Sequence, residues 1–392
     1  MQICILSSFE DSMAGNTGYS VRICNLARGL AKQGNNKVQI ILPSYKPCNG
    51  DVEGLKIIRI RGILPRKLLE LLSRIMGIEK PTSLYFFDPV FIFKTYKAVQ
   101  HCDIVQLEQQ TTGVLFAIMV SLICKKPLVA DCHDVLQSLR VKISGRMRRF
   151  LETFCEKLTY RFSNLILAVS DEERKILINY GISEDKIRVV PNGVDIDYFN
   201  VNIDASIVKK KYGLQNHRVV VFVGNLEYVP NKEAAQLIVS RIAPIVKTKI
   251  KDVKFLIVGR TQTKFNSSDI VFTGVVDNVA EVLRASDVAI APLLHGSGTR
   301  LKILEYFSCG LPVVSTTIGV KGLPVKNGIH LLIEDDLTCF ASKIVELLKD
   351  KELSVKLGEQ AKALVVNNYD WTKITGYLHS LYQRLLAEGY VS

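Results

Sequence analysis

The residues best able to do chemistry lie together in 289–318, where two apolar runs flank a glycine-bearing turn and an amphipathic segment. Residues 289–292 predict the end of a buried strand, 296–299 a turn, and 301–309 a helix with Leu301, Leu304 and Phe307 on one face. Gly310 follows as the residue that ends it. Arg300 and Lys302 fall in the first turn of that helix, where open N–H groups and the helix dipole already make the potential positive. Two cations there are unfavourable unless an anion joins them. With glycines that let the backbone approach closely, they describe a phosphate or diphosphate site. The plain alternative is a solvated basic helix start.

The run Gly298-Thr299-Arg300-Leu301-Lys302-Ile303-Leu304-Glu305, followed by Gly310-Leu311-Pro312-Val313-Val314-Ser315, resembles the donor-binding signature of group 1 retaining glycosyltransferases with the GT-B fold. In that family two glutamates eight positions apart frame the loop and helix. Glu305 matches the second, which the resemblance implies accepts hydrogen bonds from the nucleotide ribose; Ser297 stands where the first usually is. The resemblance further implies that Ser297, Gly298 and Thr299 line the donor and that Glu305 is one of two catalytic candidates. The other is His133, in Asp131-Cys132-His133-Asp134 beyond the end of a strand, matching a family histidine that contacts the donor sugar.

Many relatives also place an arginine and a lysine in the loop after the second domain's first strand. Here that loop reads Gly224-Asn225-Leu226-Glu227-Tyr228-Val229-Pro230-Asn231-Lys232. Asn225 replaces the arginine and Lys232 lies a little beyond the lysine, so the diphosphate charge is expected to rest on Arg300 and on Lys302 ahead of Lys232. By resemblance, Gly15 and Gly18 face the donor phosphates; as residues they equally shape a turn, and their spacing is not a dinucleotide fingerprint. The sequence Pro191-Asn192-Gly193-Val194-Asp195 resembles the close of the family's first domain.

The elements that must hold these residues alternate strand and helix, as doubly wound parallel sheets require. Strands are expected at 3–7, 37–42, 56–60, 103–107, 127–131 and 165–170, with 43–54 as a loop, and the alternation restarts at 218–224, 253–258, 270–273 and from 287. Gly259 and Gly274 each follow a strand, either as turn residues or where backbone reaches a base. Helices rich in Leu, Phe and Tyr over 65–81 and 89–101 suit either an acceptor side or plain packing. The chain is expected to run as continuous helix after residue 338. The fold class is thus α/β: two Rossmann-like doubly wound domains facing across a cleft, at 1–195 and 196–368, with a C-terminal helix at 369–392 packing back on the first.

Length and composition fit two globular domains: 392 residues, 48% hydrophobic and 23% charged. Nine cysteines without a C-x-x-C pair read as small core residues rather than a disulfide or zinc framework. The amino terminus is expected to behave as a first strand rather than a secretion signal, so a cytoplasmic protein is expected, and the apolar run 112–124 is too short for the ~20 residues that span a bilayer. The net charge of +13 raises nucleic acid as a partner, but no zinc-finger, helix-turn-helix or RNP pattern accompanies it. The basic stretch 140–161, interleaved with Met147, Phe150, Leu151 and Phe154, suits an anionic membrane surface at the inner membrane face or a lipid-phosphate acceptor, or else a solvated face over a core stripe.

Together these residues imply transfer of a sugar from a nucleotide diphosphate sugar to a hydroxyl of a glycan or lipid-linked acceptor, with retention by resemblance, in glycolipid, polysaccharide or other glycoconjugate synthesis. No cofactor and no catalytic metal are expected. A nucleotide-sugar epimerase of the same architecture and a non-catalytic basic binding protein are the rivals.

Overall fold

The computed structural model describes residues 1–7, 18–46, 49–52, 54–76, 81–108, 114–133, 146–200, 204–261, 269–296 and 299–388. The chain divides into two units, Met1–Pro191 with Trp371–Ser392, and Asn192–Asp370.

The first unit is built on strands β1 (Gln2–Leu6), β2 (Lys37–Pro43), β3 (Asn49–Val52), β4 (Leu55–Ile60), β5 (Ile104–Glu108), β6 (Leu128–Cys132), β7 (Leu165–Ala168) and β8 (Ile187–Val189), in the order β3-β4-β2-β1-β5-β6-β7-β8. All neighbours are parallel except β3 and β4. The strands read as unbroken apolar runs because both faces are covered. In β1, Ile3 and Ile5 join one buried cluster while Cys4 and Leu6 join the other. Strand β3 corrects the expected loop over 43–54: Asn49 pairs with Ile58 and Val52 with Leu55. Its polar sequence carries no apolar alternation, and Gly54, at φ +79°, supplies the backbone that a tight reversal needs.

The second unit holds β9 (Arg218–Val223), β10 (Val253–Val258), β11 (Ile270–Gly274), β12 (Val288–Ala291), β13 (Val313–Ser315) and β14 (Leu332–Ile333), ordered β11-β10-β9-β12-β13-β14 and parallel throughout. Alternation across the sheet recurs: Val219 and Val221 of β9 enter one cluster, Val220 and Phe222 the other.

The carboxyl-terminal segment is three helices, Leu337–Lys349, Lys351–Asn368 and Trp371–Ala387, rather than one continuous run. Asp350 leaves helical geometry and accepts from Leu353 N, so it caps the second helix. Tyr369 and Asp370 break the next junction by engaging Val194, whose N–H donates to Tyr369 O. Cys339 also departs from the expectation of core cysteines, because it is exposed in the first turn of its helix.

Helix Trp371–Ala387 packs on helix Gly18–Lys32, and their closeness depends on Gly29. A Cβ there would stand 2.3 Å from Thr375 Cγ2 and 2.6 Å from Thr375 Cβ. Gly29→Ala forces the helices apart. The substitution should cost about 1–3 kcal/mol in urea unfolding despite alanine's better helix propensity.

Candidate functional site

In the second unit, the carboxyl end of β9 and the helix Leu301–Ser308 build one cluster. The helix buries Ile303, Leu304, Tyr306 and Phe307 against the sheet. Tyr306 OH accepts from Val223 N at 2.8 Å, which ties the helix to the end of β9. That leaves the amino end of the helix beside the loop after β9. Arg300 is its N-cap rather than part of its first turn, with φ −85° and ψ 96°, and it is buried. Gly296, at φ +129°, makes room for it: a Cβ at 296 would lie 2.4 Å from Arg300 Nη2. Thr299 Oγ1 is shielded from solvent beside it and has no hydrogen-bond partner among the described residues.

Lys302 turns back into the unit. Its Nζ donates to Asn231 Oδ1 at 2.8 Å and lies 4.2 Å from the centre of the Phe222 ring. Gly224 leaves the space it uses, since a Cβ there would come within 2.9 Å of that Nζ. Burial first, and the neighbouring Arg300 charge second, push the Lys302 ammonium down to about 7. Burial likewise pushes the half-buried Glu305 carboxyl up to about 7, against the pull of Lys302. Asn225 faces its own loop, accepting from Glu227 N at 3.0 Å, while its carbonyl accepts from Asn231 Nδ2 at 3.0 Å. Lys232 stands exposed on the helix Val229–Leu237. The structure therefore brings Arg300, Lys302 and Glu305 together, links Asn225 to them through Asn231, and gives that side of the cluster to Asn231 in place of Lys232. Ser297 and Gly298 lie outside the described residues.

In the first unit, His133 follows β6 and closes a chain of buried polar groups. Glu108 ends β5 directly beside Asp131 of β6, so the parallel register itself sets two carboxylates side by side. Arg22 forks Asp131, with Nη2 to Oδ1 at 2.7 Å and Nε to Oδ2 at 2.9 Å, and donates Nη1 to Pro191 O. His133 Nε2 pairs with Glu108 Oε2 at 2.8 Å and with Asp131 Oδ2 at 3.4 Å. Behind Glu108, Gln106 Nε2 donates to Oε1 at 2.7 Å, and Tyr382 OH donates to Gln106 Oε1 at 2.5 Å. One helix, Gly18–Lys32, supplies two members one turn apart, because Tyr19 lies on the His133 ring at 4.6 Å and Arg22 reaches Asp131. Gly18 begins that helix; Gly15 lies outside the described residues.

Burial opposes the His133 imidazolium, but Asp131 and Glu108 outweigh it and push His133 up to about 9. Burial would also raise Asp131, yet Arg22 and His133 hold it well below the usual carboxylate range. Glu108 is raised, by burial and then by Asp131. The ligand atoms of Glu108, Asp131 and His133 lie within 4.8 Å of one another, a spacing that suits a metal ion. Arg22 and a protonated His133 already match the two carboxylates, so the cluster is charge-balanced as it stands.

Sequence reading singled out His133 and missed its supports. Glu108, Arg22 and Tyr382 are 25, 111 and 249 positions away, and only the strand register and helix packing unite them. Asn231 had a local signal, its place just after Pro230 at a helix start, though nothing linked it to Lys302.

Because the folded pKa of His133 exceeds an unfolded value of about 6.5, its stabilising contribution is complete below that pH and is lost as pH rises through about 9. An NMR titration of the His133 ring should show a midpoint near 9, and Glu108→Gln should lower it. A midpoint at the ordinary histidine value in both proteins would break this account of the network.

The comparisons with known proteins agree with this architecture. Residues 17–198 match the family model described as Glycosyltransferase Family 4, and 217–350 the one described as Glycosyl transferases group 1. The chain is 29% identical over 314 residues to UDP-Gal:alpha-D-GlcNAc-diphosphoundecaprenol alpha-1,3-galactosyltransferase of Escherichia coli, spanning 75% of this chain and 78% of that one. It is 25% identical over 417 residues to D-inositol 3-phosphate glycosyltransferase of Corynebacterium jeikeium, covering 98% and 96%. The crystal structure of Anabaena HepE with UDP superimposes with a TM-score of 0.75 at 16% identity, covering 98% of this chain and all of that one, a likeness of fold. With both halves of the chain matched and the fold that of GT-B enzymes, the protein belongs to the group 1 glycosyltransferases and transfers a sugar from a nucleotide-sugar donor in glycan synthesis.

Proposed function

We propose that the transfer is retaining and needs no metal, that the donor is a uridine diphosphate sugar, and that the acceptor hydroxyl belongs to a lipid-linked glycan met at an anionic membrane surface on the cytoplasmic side. The observation that carries the donor reading is the crowding of Arg300 and Lys302 at one helix start, where the Arg300 charge adds to burial in disfavouring the Lys302 ammonium and the helix dipole has the same sign. In this reading the two cations neutralise the diphosphate, Glu305 accepts from the ribose hydroxyls, and the imidazolium of His133 donates to the donor sugar. Gly15, Gly18, Ser297, Gly298, Thr299, Asn225 and Lys232 keep the donor-lining roles that the family resemblance implies. Support for uridine comes from the UDP named with HepE and with the E. coli relative, and support for the acceptor from the diphosphoundecaprenol in that relative's name. No helix among the described residues is long and apolar enough to cross a membrane, so contact with lipid would be peripheral.

The step balances without a protein nucleophile. The bond from the anomeric carbon to the diphosphate breaks and the diphosphate keeps its electron pair. The acceptor oxygen bonds the same carbon from the same face, and its proton passes to a departing phosphate oxygen. Arg300 and Lys302 stabilise the charge that gathers on the leaving group, which is the work a divalent cation does elsewhere.

Lys302→Ala removes a charge-assisted contact worth about 1.5–3 kcal/mol and should weaken UDP and the donor far more than uridine. Glu305→Gln should weaken all three. His133→Ala should slow turnover ~100-fold or more while UDP affinity stays nearly constant. Because free Lys302 titrates near 7, UDP binding at pH 8 should take up a proton, seen as a buffer-dependent heat that Lys302→Ala abolishes. Turnover should persist in EDTA, and UDP should be released only when acceptor is present, which separates transfer from epimerisation. Loss of turnover in EDTA with rescue by magnesium would overturn the metal-independent reading.

A further inference from the structure

The helix Arg66–Met76 in the first unit has two apolar stripes where a surface helix needs one. Leu69 is buried in the core cluster beneath it and Leu72 packs partly against that cluster. A second stripe points away from that core. Leu68 is 39% exposed, Leu71 53% and Ile75 73%, with Ile63, just before the helix, at 64%. At 3.6 residues per turn Leu68, Leu71 and Ile75 fall within an arc of about 60°. Lys67 and Arg74, seven positions apart and both exposed, share one flank of that arc. Arg66 is differently engaged, with Nε on Glu70 Oε1 at 2.7 Å and its guanidinium 5.0 Å over the Tyr45 ring.

We propose that this helix is the element that seats the enzyme on an anionic bilayer, with Leu68, Leu71 and Ile75 entering the headgroup boundary and Lys67 and Arg74 meeting lipid phosphates. Charge identifies the occupant. A protein partner or a second copy would take the apolar stripe but would not account for cations along its edge, whereas an anionic interface takes both. The same bias extends along the chain: residues 61–162 hold 16 Lys and Arg against 9 Asp and Glu, a net +7 of the total +13. The inference rests on the membrane reading given above and moves the inserting element from the basic stretch 140–161 to 66–76. Within that stretch the side chains of 146–152 lie outside the described residues; Lys157 and Arg161 are exposed, so it adds attraction.

The test compares wild type with Leu71→Gln/Ile75→Gln, which removes apolar surface at constant charge, and with Lys67→Gln/Arg74→Gln. All three are sedimented with vesicles of phosphatidylcholine alone and with about one quarter phosphatidylglycerol. Wild type should bind the anionic vesicles and release them at high salt. Leu71→Gln/Ile75→Gln should lose about tenfold or more in partition, and Lys67→Gln/Arg74→Gln should flatten the salt dependence. Both variants should keep the wild-type melting temperature and UDP affinity, since these side chains are exposed. If wild type binds anionic vesicles and Leu71→Gln/Ile75→Gln binds them equally, this helix is not the seat, although the membrane reading stands. If wild type ignores both vesicle types, the membrane reading falls and takes this inference with it. Wild-type dimers in light scattering that Leu71→Gln/Ile75→Gln turns into monomers, without vesicle binding, would mark the stripe as a self-association face instead.

Discussion

Glu108 and Asp131 end neighbouring parallel strands with almost no access to water, where Arg22 is the main group that favours the Asp131 anion and His133 the main one that favours the Glu108 anion. Two bare carboxylates at that spacing would take up a proton or separate. The fork from Arg22 fixes Asp131 as an anion, and Asp131 with Glu108 in turn fixes His133 as a cation. Each charge is in place because the previous one is. The arrangement extends to helix Gly18–Lys32, which must lie close enough to deliver both Tyr19 and Arg22, and to helix Trp371–Ala387, which holds that helix through Gly29 and sends Tyr382 to Gln106. A carboxyl-terminal helix on this sheet thus serves the histidine as well as the core.

The second unit solves a different electrostatic problem with similar parts. Its cluster is unbalanced: two cations start one helix, the helix dipole has the same sign, and Glu305, one turn on, is partly neutralised by burial. Lys302 avoids the worst of this by leaning onto the Phe222 ring and Asn231, both of which accept a cation without carrying a full negative charge. Such partners hold an ammonium in place yet leave most of its field available to a ligand. A carboxylate partner would have quenched it. The first unit thus sets cations against carboxylates, whereas in the second Lys302 is held by an amide and an aromatic ring.

Much of this was legible in the sequence, and the limits have physical causes. Strand runs such as 218–223 and 253–258 announce themselves because burial on both faces removes polar residues, and the helix after residue 300 is bracketed by a glycine turn and Gly310. Strand β3 escaped because a short polar edge strand has no hydrophobic face to show. The break at Asp350 was readable as a capping residue and was hidden by the apolar periodicity on either side. Within the site, spacing along the chain marked Arg300, Lys302 and Glu305 as one group, since a helix brings i, i+2 and i+5 near one end. It gave no access to Asn231, 71 positions from Lys302, or to Arg22, 109 from Asp131. Those pairings depend on which strands become neighbours, and a local pattern does not carry that information.

The excess of positive charge is the feature that sequence alone interprets least well, because net charge attracts every polyanion alike. Geometry divides it into kinds. At residues 300–302 the cations are crowded, shielded from water and served by glycines, the setting behind the proposed diphosphate contact. At 66–76 they are exposed and edge an apolar stripe that water disfavours, an environment that selects an interface with charge at its surface and hydrocarbon beneath. The same formal charge thus sits in two physical settings, and what distinguishes them is the burial of each cation and the apolar surface beside it.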